Sequence, residues 1–149
     1  MTFNATGLPN PGSAEQIIQP QGFYPAVLLS DFRSHARVDH TIDDARSAYQ
    51  LALAVAHINR QLNAWQQQQM DAGITELDQA QGLYYTAAVF HHAKARLLEQ
   101  YRDMDSRNVG TSTTRDPQAL DARIDTEWRE VRRSLAALTG RAQTTVELI

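Results

Sequence analysis

The chain contains no cysteine. Disulfides, thiolate zinc sites and a cysteine nucleophile are therefore excluded, and the fold needs no oxidising compartment. No Lys, Arg or His precedes Arg33, so the opening residues lack the charged n-region of a secretory signal. Long apolar runs are missing as well: "PAVLL" and "LALAVA" are the longest, far below the roughly 20 residues needed to span a bilayer. Nor does positive charge dominate, since 14 Lys and Arg stand against 17 Asp and Glu for a formal net charge of −3. Non-specific attraction to nucleic-acid phosphates is thus not the default expectation. The expected protein is soluble and intracellular, with no membrane partner. What is present suffices for one globular domain: 149 residues, 42% hydrophobic and 21% charged, can bury a sizeable core.

Proline and glycine are scarce except at the start. Pro9, Pro11, Pro20 and Pro25 are four of the five prolines, and Gly7, Gly12 and Gly22 lie among them, so residues 1–29 are expected as an extended arm that no helix interrupts. Ile17, Ile18, Phe23 and Tyr24 make that arm apolar enough to dock onto something. Residues 30–140 are expected to form a helical bundle domain, and 141–149 an extended tail. Ser30 is positioned to cap a short helix through Arg37. Thr41, ahead of Asp43 and Asp44, is positioned to cap a long one. In that second helix Ile42, Ala45, Tyr49, Ala52, Val55, Ile58, Leu62 and Trp65 recur at helical spacing up to Gly73. A further helix is expected to open near Leu83, with Leu83, Ala87, Phe90, Leu97, Tyr101 and Met104 on one side and small residues Ala87, Ala88, Ala93 and Ala95 permitting close approach. The polar stretch "DSRNVGTSTTRD" (105–116) reads as an exposed loop. The last helix starts at Asp116–Pro117, carries Leu120, Ile124, Trp128, Val131, Leu135 and Leu138, and stops at Gly140. The fold class is all-α: a small antiparallel bundle of two long helices and a C-terminal helix, with Tyr49, Trp65, Phe90 and Trp128 in its core.

The search for chemistry returns no catalytic motif. His91 and His92 are adjacent, about 100° apart on a helix, and cannot chelate one metal as an i, i+4 pair does. "DMDSRNVGTSTT" begins like a calcium loop, but Arg107, Asn108 and Thr114 occupy positions that require an oxygen ligand, Gly and Glu. Asp39, His40, Asp43 and Asp44 are explained by helix capping without an ion. GxSxG, GxGxxG and P-loop patterns are absent, so no enzyme, cofactor or metal is expected. Arg129, Arg132, Arg133 and Arg141 concentrate basic charge near the end of the last helix. Such residues either complement the helix dipole and pair with Glu130, or form ion pairs between chains.

Several segments in series, "NRQLNAWQQQQMDAGITEL", "GLYYTAAVFHHAKARLLEQYRDMD" and "DTEWREVRRSLAALTGR", resemble the head completion protein L family of temperate contractile-tailed phages. "LEQYRDMD" and "EWREVRRSLAALTG" at their mutual spacing are its most specific parts, and the likeness runs from about Phe23 to Ile149. The resemblance implies a structural adaptor of the virion, assembled in the host cytoplasm. Such an adaptor docks as a ring beneath the portal protein after DNA packaging, closes the filled head and offers the tail an attachment surface. Its implied partners are the portal, neighbouring copies in a twelvefold ring, a tail terminator or tail-side connector, and DNA passing through without sequence-specific contact. Within that scheme Arg129, Arg132 and Arg133 face a neighbouring subunit, and Arg141, Val146, Leu148 and Ile149 bind the portal. The alternative is a DNA-binding packaging protein of the small-terminase kind that uses the arginine cluster.

Overall fold

The apolar stripes of the sequence become three long helices in the computed structural model, which describes residues 15–39, 41–107 and 117–141. In chain order the elements are β1 (Ile17–Gln19), β2 (Val27–Leu28), α1 (Leu29–His35), α2 (Asp44–Asp71), α3 (Gln79–Arg107) and α4 (Pro117–Thr139). The architecture is an all-α bundle with one two-stranded sheet attached. No helix among the described residues is long and apolar enough to cross a membrane.

Local chemistry sets the helix ends. Asp43, not Thr41, caps α2: its carboxylate accepts the Arg46 amide at 2.7 Å, while the Thr41 hydroxyl lies 2.7 Å from that of Tyr101 on α3. A carboxylate at this position satisfies an orphan amide and also meets the positive end of the helix dipole. At the other end Gly73 takes a left-handed φ of +86°. Its amide donates to the Met70 carbonyl, and the Ile74 amide donates to that of Gln69, each at 2.9 Å. This pair of bonds is the Schellman arrangement, which a residue with a side chain enters only with strain.

Helix α3 starts four residues before Leu83, because "DQAQ" closes a reciprocal capping box. The Gln81 amide donates to Asp78 Oδ1 at 2.7 Å, and the Asp78 amide donates to Gln81 Oε1 at 3.1 Å. Asp78→Ala is expected to cost about 1 kcal/mol of stability, read as a lower urea midpoint at an unchanged m-value. An unchanged midpoint would mean that packing alone holds this helix end. At its far end α3 continues through Arg107, so the first three residues of the expected 105–116 loop are helical. Residues 108–116, including the expected cap Asp116, lie outside the described residues.

The long helices run antiparallel. Arg46 meets Met104, His57 meets His92 and Asn59 meets Tyr85, so numbers rise along α2 as they fall along α3. Arg102 with Asp121 and His91 with Glu127 repeat the pattern between α3 and α4. α3 is therefore the middle helix, packed on both sides. Its Tyr85, Ala88, Val89, Ala93 and Ala95 have no exposed surface, and the alanines let the neighbouring backbones approach.

Two expectations need correction. Tyr49 is not in the core; it is 64% exposed. In the first half of α2 the buried face is Ser47, Ala48, Gln50, Leu51 and Ala54 in place of Ala45, Tyr49 and Ala52, whereas Val55, Ile58, Leu62 and Trp65 are buried as their spacing requires. An alanine-rich helix shows apolar residues on every side, so three- and four-residue spacing alone selects more than one stripe. Leu83 and Met104 are likewise exposed, because the middle helix buries two faces and no single stripe describes it. Trp65 is buried, whereas Phe90 and Trp128 are partly buried and pack against the core.

Residues 15–29 dock onto the chain's own bundle. β1 and β2 pair antiparallel, Ile17 opposite Leu28, and the Leu29 amide donates to the Gln16 carbonyl, which leads the chain directly from strand into α1. That entry replaces the expected Ser30 cap, and no side chain caps α1. Between the strands the Tyr24 ring stacks on Tyr85 at 4.5 Å, and Phe23 meets Trp65 edge-on at 6.2 Å. Below them Gln19 accepts from Asn59 at 2.8 Å and donates to the Pro25 carbonyl and the Tyr85 hydroxyl, each at 3.1 Å. Burial pushes the Tyr24 hydroxyl up to about 12 and raises that of Tyr85 further still, so both rings are neutral hydrogen-bonding groups at any physiological pH.

Candidate functional site

In α4 the hydrophobic side faces α3 and the other side is charged, which divides the helix into an internal seam and an external face. The seam is specific. Trp128 donates its indole N–H to Glu99 at 2.8 Å, Glu127 pairs with His91 and, at 3.6 Å, with Lys94, and Arg102 meets Asp121 at 3.1 Å. Burial alone would push the Glu127 carboxyl up, but the His91 hydrogen bond and the charges of Lys94 and His91 outweigh it and hold the group below its usual range. Deeper in, the His92 ring stacks on His57 of α2 at 5.3 Å and meets Trp128 edge-on at 4.9 Å. Three helices thus converge on one imidazole. Burial, then the charges of His57 and Arg96, lower His92 to about 4, and its Nδ1 has no hydrogen-bond partner among the described residues. The ring, neutral and held between two aromatic neighbours, packs the helices against one another.

On the external face Arg129, Arg132 and Arg133 are exposed. Arg133 pairs with Glu130 one turn earlier at 2.9 Å; no ion pair joins Arg129 or Arg132 to another described residue. Arg141 is exposed just beyond Gly140, whose φ of +68° ends α4. Val146, Leu148 and Ile149 lie outside the described residues. The acidic cluster near the start of α2 is consumed locally: Asp39 accepts the Thr41 amide at 2.9 Å, Asp43 caps α2, and Asp44 pairs with Arg33 at 3.1 Å. Arg33 also donates to the Ile42 carbonyl and the Ser47 hydroxyl, tying α1 to the first turn of α2. His40 lies outside the described residues.

Sequence reasoning missed a cleft of about 400 Å³ where the α1–α2 connection, the second half of α3 and the first turns of α4 meet. Val38, Leu97, Leu98 and Leu120 form its apolar lining, beside Arg37, Arg123, Asp39 and Lys94, the last already paired with Glu127 at 3.6 Å. Its size falls in the range of ligand and peptide clefts. Nothing in the linear order marks these residues as neighbours, since each element contributes only a few. Exposed apolar side chains occupy other places: Tyr49 and Met104 at this end of the α2–α3 pair, Ile17, Ile74 and Leu83 at the other.

This geometry has packing seams, a charged outer face and an apolar cleft. The family model described as phage head completion protein (GPL) matches residues 18–149. A relative from Escherichia phage P2, named head completion/stabilization protein, is 28% identical over 152 residues, covering 95% of this chain and 88% of its own length. No solved structure matches the chain. With the match running through the hairpin, all four helices and the residues after them, the chain belongs to the phage head completion protein family.

Proposed function

We propose that this protein completes the DNA-filled head by docking as a ring on the portal protein, where it closes the head and presents a surface to a tail-side connector. The observation that carries the reading is the family match over residues 18–149, with a relative whose name states head completion and stabilization. Two features support the ring. The exposed arginines Arg129 and Arg132 stand on an otherwise mixed-charge face of α4, and arginine is favoured where ion pairs form between chains. The net charge of −3 suits a conduit for DNA, because walls of like charge keep the duplex from adhering. Arg129, Arg132 and Arg133 are assigned to the neighbouring subunit, and Arg141, at the end of α4, to the portal together with Val146, Leu148 and Ile149. A twelvefold ring follows if the adaptor adopts the symmetry of its template.

Electron microscopy of the purified protein mixed with portal rings of the same phage tests this reading. The expected result is added density forming a collar on one end of the portal, absent from either component alone. A folded protein that leaves the portal bare, both with empty rings and with DNA-filled heads, would overturn it.

A further inference from the structure

Opposite its buried Ile124, Val131 and Leu138, α4 carries a second stripe. Gln118, Ala122, Asp125, Arg129, Arg132 and Ala136 follow one another at alternating steps of four and three, which at 3.6 residues per turn confines them to one arc of about 80°. All are exposed except Ala136, which is partly buried. The charges on this side are sorted. Asp125, with Asp121 beside it, lies in the first half of the helix, and Arg129, Arg132 and Arg133 lie in the second. The helix dipole does not account for that order, because it acts on the end turns, and the first turn of α4 has no acid and the last no base. Nor do these charges serve the chain itself. Asp121 pairs with Arg102 and Arg133 with Glu130, but Asp125, Arg129 and Arg132 make no ion pair with any described residue. Arg129 has Arg132 and Arg133 one turn ahead of it, a spacing at which like charges repel.

A helix face sorted into an acidic half and a basic half is complementary to its own reverse. We infer that in the free protein this face is covered by α4 of a second copy, the two helices antiparallel about a two-fold axis level with Glu127. That register sets Asp125 opposite Arg129 of the other copy, Ala122 opposite Arg132 and Gln118 opposite Ala136, and the two-fold makes each contact twice. A parallel copy in register would instead set each arginine against itself. Ala122 and Ala136 let the backbones approach, which draws the ion pairs out of water, where charges attract more strongly than on an open surface. A contact confined to one stripe of one helix is small beside the roughly 1,200 Å² of a stable interface, so the dimer is weak and reversible. A two-fold contact also closes on itself and does not propagate around a ring. The second copy therefore covers Arg129 and Arg132 until a ring neighbour takes its place; the dimer stands on α4 alone, and only this exchange rests on the ring reading above.

Sedimentation equilibrium of the full chain at low salt tests this. A reversible equilibrium between monomer and dimer is expected, shifting towards monomer as salt is added. Asp125→Arg and Arg129→Asp each set like charges face to face twice and should raise the dimer Kd about tenfold or more, while Arg60→Asp, on the exposed side of α2, leaves it unchanged. Circular dichroism checks that each variant is folded. The sharpest sample is an equimolar mixture of Asp125→Arg and Arg129→Asp chains. One then presents only positive and the other only negative charge at positions 125 and 129, so a mixed dimer should form where neither variant pairs alone. An unaltered chain that sediments as a monomer at every concentration overturns the inference. So does a dimer indifferent to both charge reversals, or a mixture that stays monomeric. The collar decides the ring reading and sedimentation of the protein alone decides this one, so the failure of either is read without the other.

Discussion

Replacing Tyr85 with alanine is expected to lower the unfolding free energy by about 4 kcal/mol, in the range for deleting a fully buried aromatic ring. The side chain has no exposed surface and is among the largest that are fully buried. It also sits where three parts of the chain meet: its ring stacks on Tyr24 of the hairpin, and its hydroxyl bonds Asn59 of α2 and Gln19 of β1. Alanine leaves a cavity and at the same time strips partners from two part-buried amides. Tyr85→Phe separates the terms, because it keeps the ring and loses only the hydroxyl, and should cost about 1–3 kcal/mol. Urea unfolding followed by circular dichroism gives both numbers. The difference between the two variants is the contribution of ring packing, and if they unfold at the same midpoint the hydrogen-bond network, not the stack, fastens residues 15–29 to the bundle.

How far the sequence discloses this structure depends on how one-sided each element is. α4 was the most legible: its Ile124, Val131 and Leu138 are buried and its Leu120, Trp128 and Leu135 partly so, as their spacing required, because the helix packs mainly on one partner and its outer face is charged. α2 was legible in length, stopping as Gly73 indicated, yet Tyr49 was misplaced since "LALAVA" hides the true face among alanines. α3 was legible as a helix and not as a middle one; two buried faces blur the period that a single stripe creates. The hairpin escaped because β1 and β2 have three and two residues, too short for alternation to register, and because the prolines and glycine around them indicate only that no helix forms. The family was legible through ordered motifs rather than through chemistry. The cleft was not legible at all, since Arg37, Lys94 and Arg123 become neighbours only once three elements have packed.

Acid should loosen the same bundle through His92. The group titrates near 6.5 in the unfolded chain and near 4 in the folded one, where burial, then the charges of His57 and Arg96, oppose a proton that Glu99 favours only weakly. The sign follows from proton counting. Above pH 6.5 both states are neutral at this site and it contributes nothing; between 6.5 and 4 the unfolded chain binds more protons, so stability decreases as the pH is lowered. The loss approaches about 3 kcal/mol near pH 4 and then levels off, at 1.36 kcal/mol per unit of separation. Glu127 acts in the same direction over a lower window: its carboxyl is held below the usual range in the folded state, so its contribution is present above about pH 4.5 and disappears as pH falls through the folded value. The two are separable by substitution. His92→Phe keeps an aromatic ring between His57 and Trp128, removes the Nδ1 that has no partner among the described residues and leaves nothing to titrate at this position, so the urea midpoint should become flat from pH 6.5 to 5 while the fall below 4.5 persists. Glu127→Gln should do the reverse. A His92→Phe chain that loses stability between pH 6.5 and 5 as steeply as the unaltered one would place the acid sensitivity elsewhere and leave the His57–His92–Trp128 contact as packing alone.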